Sequence, residues 1–141
     1  MIGLDTNVLA RYYVNGKADD ATQRQREAAR RLIESGQPLM VCKTVMLELE
    51  WLLHGYYRYA PPEVLAVLHH LITLPNIAIE DSRTVRQALA NCAAGIDFAD
   101  ALHHASYRAC TSMASFDDRR FARHAKKLGL SPSVVVPVAR K

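Results

Sequence analysis

Apolar and polar positions along the chain change period repeatedly, and the changes predict a strand-then-helix order. Residues 1–4 are a short apolar run ending at Asp5, after which Thr6, Val8, Leu9, Tyr12 and Tyr13 follow a helical period. Residues 20–35 are rich in helix formers and stop at Gly36 and Pro38. A short buried strand is expected over 39–42. A helix over 43–54 follows, with Val45, Met46, Leu49, Leu52 and Leu53 on one face and Thr44 as its cap. A further helix fits 61–73, with proline in its first turn. Residues 76–80 read as a strand, and Ser82 caps a helix to Ala94 that stops at Gly95. The next helix covers 97–109, and residues 111–116 are strand-like. Asp117 or Asp118 opens the last helix, which ends at Gly129, and 133–138 is a final strand. Strands alternating with helices predict an α/β fold: a parallel sheet of about five short strands flanked by helices on both faces.

The 141 residues suit one domain, 1–141, and their composition, half hydrophobic and 23% charged, excludes a disordered tail or linker. No apolar run approaches the roughly 20 residues that cross a bilayer. Asp5, Arg11, Lys17, Asp19 and Asp20 interrupt the start where a signal peptide would be apolar, so a cytoplasmic protein with no membrane partner is expected. Cys42, Cys92 and Cys110 are odd in number and lack C-x-x-C spacing, which argues for buried thiols over a disulfide framework or zinc cage.

Charge is unevenly placed. From residue 105 onward eight basic residues (Arg108, Arg119, Arg120, Arg123, Lys126, Lys127, Arg140, Lys141) face only Asp117 and Asp118, a net +6, while the first 104 residues sum to −2. Such an end suits a polyanion, because neutralising phosphates releases counterions. A solvated helix face is the alternative reading.

Ligands of an open parallel sheet lie beyond the carboxyl ends of its strands, which directs attention to Asp5 and Asp117. Either could equally cap the helix that follows it. Glu48 is expected beside the apolar stripe of its helix, with Glu50 farther away. A carboxylate there needs a metal or an arginine partner. Asp97 and Asp100 lie one helical turn apart, placed to share a hard cation or to serve as cap and solvated acid. Together these acids, with no cysteine or histidine among them at ligand spacing, favour Mg²⁺ or Mn²⁺ and phosphodiester hydrolysis.

Four ordered blocks carry a resemblance: Ile2-Gly3-Leu4-Asp5-Thr6-Asn7-Val8-Leu9, Val45 to Leu53 with Glu48 at its centre, Asp97-Phe98-Ala99-Asp100-Ala101-Leu102, and Ser115-Phe116-Asp117. The chain resembles the PIN-domain ribonucleases, and within them the VapC-like toxins of toxin–antitoxin pairs, across nearly its whole length. The resemblance implies a catalytic set of Asp5, Glu48, Asp100 and Asp117. Asp5 and Asp100 would hold the metal most directly, and Asp97 would be an auxiliary ligand. Thr6, Asn7 and Ser115 would orient the carboxylates. It further implies Mg²⁺- or Mn²⁺-dependent cleavage of single-stranded or loop RNA, inhibition by a cognate antitoxin protein, and a homodimer. Arg119, Arg120 and Arg123 are then expected to contact phosphates. Ser115 replaces the threonine common in the fourth block, and the tandem Asp117-Asp118 leaves the fourth acid open by one position.

The pairs His69-His70 and His103-His104 diverge by about 100° on a helix and make poor joint ligands, so surface or packed histidines are expected. His104 is one turn beyond Asp100 and within its reach. Trp51, Tyr56, Tyr57 and Tyr59 read as packing or interface residues, some of them for an antitoxin. Two rivals remain: a catalytically silent PIN-like module that binds RNA or protein, and a phosphatase using Asp5 as nucleophile. The second lacks the D-x-D pattern, since Asn7 occupies the place of its second acid.

Overall fold

The computed structural model describes residues 1–139; Arg140 and Lys141, counted in the basic end, lie outside the described residues. Two compact units follow one another, 1–82 and 83–141.

The first unit is built on β1 (Ile2–Gly3), β2 (Leu39–Val41) and β3 (Ile77–Ile79), hydrogen-bonded in that order and parallel throughout. Leu39 pairs with both Ile2 and Ile77, so the register runs straight across. α1 (Thr6–Tyr13) and α2 (Asp20–Ile33) connect the first pair of strands. α3 (Lys43–Trp51), a π-helical turn over Leu52–Tyr56, and α4 (Pro61–Thr73) connect the second. The parallel order leaves the carboxyl ends of all three strands on one edge, where α1 and α3 begin. The core comes from the apolar faces the sequence marks, with Leu9, Leu39, Val41, Met46, Leu49 and Leu68 at or near complete burial. Asn76 Nδ2 donates to the carbonyls of Ile33 (3.0 Å) and Gln37 (3.1 Å), tying the start of β3 to the end of α2.

The second unit contains most of α5 (Ser82–Ala93), then α6 (Phe98–Ser106), β4 (Ser112–Ala114), a π-helical turn over Asp118–Ala122, α7 (Arg123–Lys127) and β5 (Ser133–Val135). β4 and β5 are parallel, with Met113 opposite Val134. Among the described residues five short strands, every pairing parallel and alternating with helices, make the expected α/β fold, with the hydrogen bonds dividing them into a three-stranded and a two-stranded ladder.

Several local expectations need correction. Thr44 does not cap α3. Cys42 holds the cap position with no side-chain bond that caps the helix, its Sγ lying 3.2 Å from Thr44 Oγ1, and Glu80 Oε1 accepts from the Lys43 N–H at 2.8 Å. The buried stripe of α3 is centred on Met46 and Leu49, not on Val45, Leu49 and Leu52. At about 100° per residue this turns Glu48 outward, and it is exposed, while Glu50 is the half-buried one. α6 ends at Ser106, not Ala109, because the Ser106 hydroxyl donates back to the Leu102 carbonyl (2.7 Å) and the chain then tightens into three-residue bonds. Trp51 and Tyr56 are 64% and 70% exposed and so are not core. None of the cysteines is fully buried, and Cys110 is exposed. Among the described residues no helix is long and apolar enough to cross a membrane.

Replacing Leu49 by alanine should cost about 2–5 kcal/mol, whereas Glu48→Gln should stay within about 0.5 kcal/mol. Urea denaturation at neutral pH measures both, and a large loss in Glu48→Gln would contradict the outward placement of Glu48.

Candidate metal and nucleic-acid site

In the first unit Asp5 stands where β1 hands over to α1. It caps that helix: its Oδ1 accepts from the Thr6 N–H at 2.8 Å. The Thr6 hydroxyl is buried and has no hydrogen-bond partner, so it is the backbone of Thr6, not its side chain, that touches Asp5. Asn7 is exposed and lines a hollow of about 420 Å³ with Val8, Arg11 and Gln25 from α1 and α2. Among the described residues it makes no hydrogen bond to Asp5. Glu48 lies on the solvent side of α3. Glu80 at the end of β3 was not singled out by the sequence reasoning, yet it stabilises the start of α3, a carboxylate at a helix N-terminus contributed from a distant strand.

The second unit gathers acids and cations around one cavity of about 620 Å³. Asp97, Asp100 and Asp117 line it together with Arg119, Arg120 and Arg123. Asp97 occupies the cap position of α6 but spends no side-chain hydrogen bond on capping. Asp100, one turn on, is half-buried. Its carboxyl is pushed above the ordinary aspartate range, first by burial and then by the negative charges of Asp97 and Asp117; His103 and Arg120 pull weakly the other way. Asp117 caps the π-helical turn, accepting from the Arg120 N–H at 3.1 Å, and its own N–H donates to Ser115 Oγ at 3.1 Å. Ser115 therefore fixes the turn that presents Asp117. Asp118 lines a different hollow with Lys126 and Ser133, away from Asp97 and Asp100.

Arg119, Arg120 and Arg123 are exposed, and among the described residues none is held in an ion pair. His124 and Lys127 also line the cavity, although the reasoning on the sequence gave them no part in the site. The signal was present: Asp117, Arg120, His124 and Lys127 recur at spacings of three and four. Gly95 is needed here. Its φ is +110°, and a Cβ would stand 2.8 Å from the His124 ring. His104 is 2% exposed and turned to structural use, with Nε2 at 2.8 Å from the Pro132 carbonyl and its ring edge-to-face with Phe121.

Burial first, and then the charges of Asp97 and Asp117, raise the Asp100 carboxyl, a penalty that a hard divalent cation would relieve, and oxygen-only donors are what Mg²⁺ and Mn²⁺ prefer. Among the described residues no group of three or more His, Cys, Asp or Glu side chains is arranged so that it could hold a metal ion. The fit therefore lies in the chemistry of the donors and their mutual repulsion.

The family model described as PIN domain matches residues 2–127, a span that includes Asp5, Glu48, Asp97, Asp100 and Asp117. The comparison with curated proteins gives no match.

The Asp100 shift has a defined sign. In metal-free protein the folded state holds this proton more tightly than the unfolded chain, so the contribution of Asp100 to stability is full in acid and is lost as pH rises from the ordinary aspartate range through its raised value. Asp100→Asn, neutral at every pH, should melt at a higher temperature than the parent at pH 7 in EDTA, with the gain shrinking toward acid pH. Thermal melts across that range check this, and a variant less stable at pH 7 would contradict it.

Proposed function

Because the chain belongs to the PIN-domain family, whose members are generally nucleases that act on nucleic acid with divalent metal ions, we propose that it is an Mg²⁺- or Mn²⁺-dependent endoribonuclease. The observation that carries this reading is the half-buried Asp100, its carboxyl raised first by burial and then by Asp97 and Asp117, in a cavity that Arg119, Arg120 and Arg123 also line. Asp100, Asp97 and Asp117 would hold the cation. Asp117 is preferred to Asp118 because its charge bears on Asp100 and it shares the cavity. Asp5 and Glu48 are assigned to the same catalytic set from their place in the ordered blocks of the family, with Thr6 and Asn7 in supporting roles. When bound, the metal supplies Lewis acidity for phosphodiester hydrolysis.

The chain's own groups do the rest. Asp97, left free of capping, and Asp100 receive positive charge that their mutual repulsion makes welcome. Ser115 holds the Asp117 turn through the Asp117 N–H. Arg119, Arg120 and Arg123 neutralise backbone phosphates on the side of the acids.

The finer reading is the toxin of a VapC-like toxin–antitoxin pair, a cytoplasmic homodimer inhibited by its antitoxin. Its support is the order and spacing of the four blocks. Exposed Trp51 and Tyr56 offer aromatic surface for the antitoxin.

Purified protein incubated with cellular RNA and Mn²⁺ should give discrete cuts, abolished by EDTA. Asp5→Asn and Asp100→Asn should each lose at least about 100-fold in rate, the upper end of what losing a mere supporting contact costs, while keeping their fold by circular dichroism. Full activity in Asp5→Asn would contradict its assignment. Binding of RNA without cutting under every metal condition would move the reading to the silent binding module.

A further inference from the structure

Phe116 has no packing role. It is 80% exposed, while Phe98 and Phe121, the other two phenylalanines, are buried. An exposed aromatic forgoes the burial that makes the residue useful to a core. The loop that carries it is nonetheless held by hydrogen bonds: the Phe116 carbonyl accepts from the Asp118 N–H at 2.9 Å, and its neighbours Ser115 and Asp117 are joined by the bond from the Asp117 N–H to Ser115 Oγ. Neighbouring Cα atoms lie about 3.8 Å apart. The ring is therefore rooted within one side chain's length of the residue that lines the acid cavity, and Arg119 and Arg120 follow within four positions.

An aromatic face in solvent beside unpaired cations is the combination that holds single-stranded nucleic acid: the cations take the phosphates and the ring takes a base. Resting on the nuclease reading above, we infer that Phe116 is a stacking platform for an unpaired base of the RNA strand entering the acid cavity. It is a positioning residue that selects unpaired over paired RNA. A base inside an A-form helix has both faces covered by its neighbours and offers no face to the ring. The exposed Arg119, Arg120 and Arg123, which follow Phe116 within seven positions, favour a polyanion as this occupant, because its phosphates would be neutralised there.

The test uses full-length protein in EDTA and a short unstructured oligoribonucleotide carrying 2-aminopurine, whose fluorescence is quenched when the base stacks. Binding to the parent protein should quench the probe. Phe116→Ala should weaken binding by roughly 5- to 150-fold and abolish the quench, and Phe116→Trp should preserve both. An abasic nucleotide at the stacked position should bring the parent and Phe116→Ala to equal affinity. Affinity for duplex RNA should be the same in all three proteins. The exposed position keeps these variants folded, which circular dichroism verifies. Equal affinity and quench in the parent and Phe116→Ala would overturn the proposal, as would full retention in Phe116→Leu or no binding of the probe by the parent. Loss of self-association in Phe116→Ala with RNA binding unchanged would overturn it too. Cleavage by the parent protein in Mn²⁺ is read separately. Absence of cutting together with a Phe116-dependent quench would remove the nuclease reading and leave the stacking platform.

Discussion

Three carboxylates share one cavity in the second unit, and the half-buried Asp100 among them holds its proton more tightly than a free aspartate would. Like charges at close range destabilise a fold unless something offsets them. Part of the offset is built in. Asp97 stands at the N-terminus of α6, where the helix dipole favours negative charge, and His103 and Arg120 draw the Asp100 carboxyl back toward the ordinary aspartate range. The remainder is unmet by the chain itself. That residual repulsion is what a bound cation would relieve, at a place where amides in place of the acids would make a more stable fold.

The backbone supplies the geometry for this economically. In the first unit each strand of the parallel ladder ends where a helix or its cap begins, so Asp5 and Glu80 fall at strand ends and both serve helix N-termini. In the second unit the turn after β4 is fixed by two bonds at Asp117, one from its N–H to Ser115 and one from the Arg120 N–H to its carboxylate. Capping and cation binding are compatible duties for such a residue. One carboxylate oxygen satisfies the backbone and the other remains available.

Much of the fold was legible in the sequence because hydrophobic period and helix punctuation act locally. The bounds of α4 coincide with the expected 61–73, where Pro61 starts the helix and Thr73 ends it. The errors came from information that one element does not carry. The face of α3 that is buried depends on its neighbours, which chose Met46 and Leu49 and left Glu48 in solvent. Thr44 looked like a cap because the acceptor that meets the Lys43 N–H, Glu80, comes from just past β3, 37 residues away in sequence. Of the candidate site, Asp97, Asp100, Asp117 and the arginines stand out in the sequence by spacing and charge, and they line one cavity. His124 and Lys127 were overlooked because the last helix opens with a π-helical turn, which disguises the face it presents.

The central claim is that Asp100 and the acids around it hold a divalent cation. Titration of metal-free protein with Mn²⁺, following the free ion by electron paramagnetic resonance, tests it without reference to any substrate. The account predicts saturable binding that weakens by at least about 10-fold in Asp100→Asn and is unchanged in Asp118→Asn. Equal binding by the parent and Asp100→Asn would contradict it.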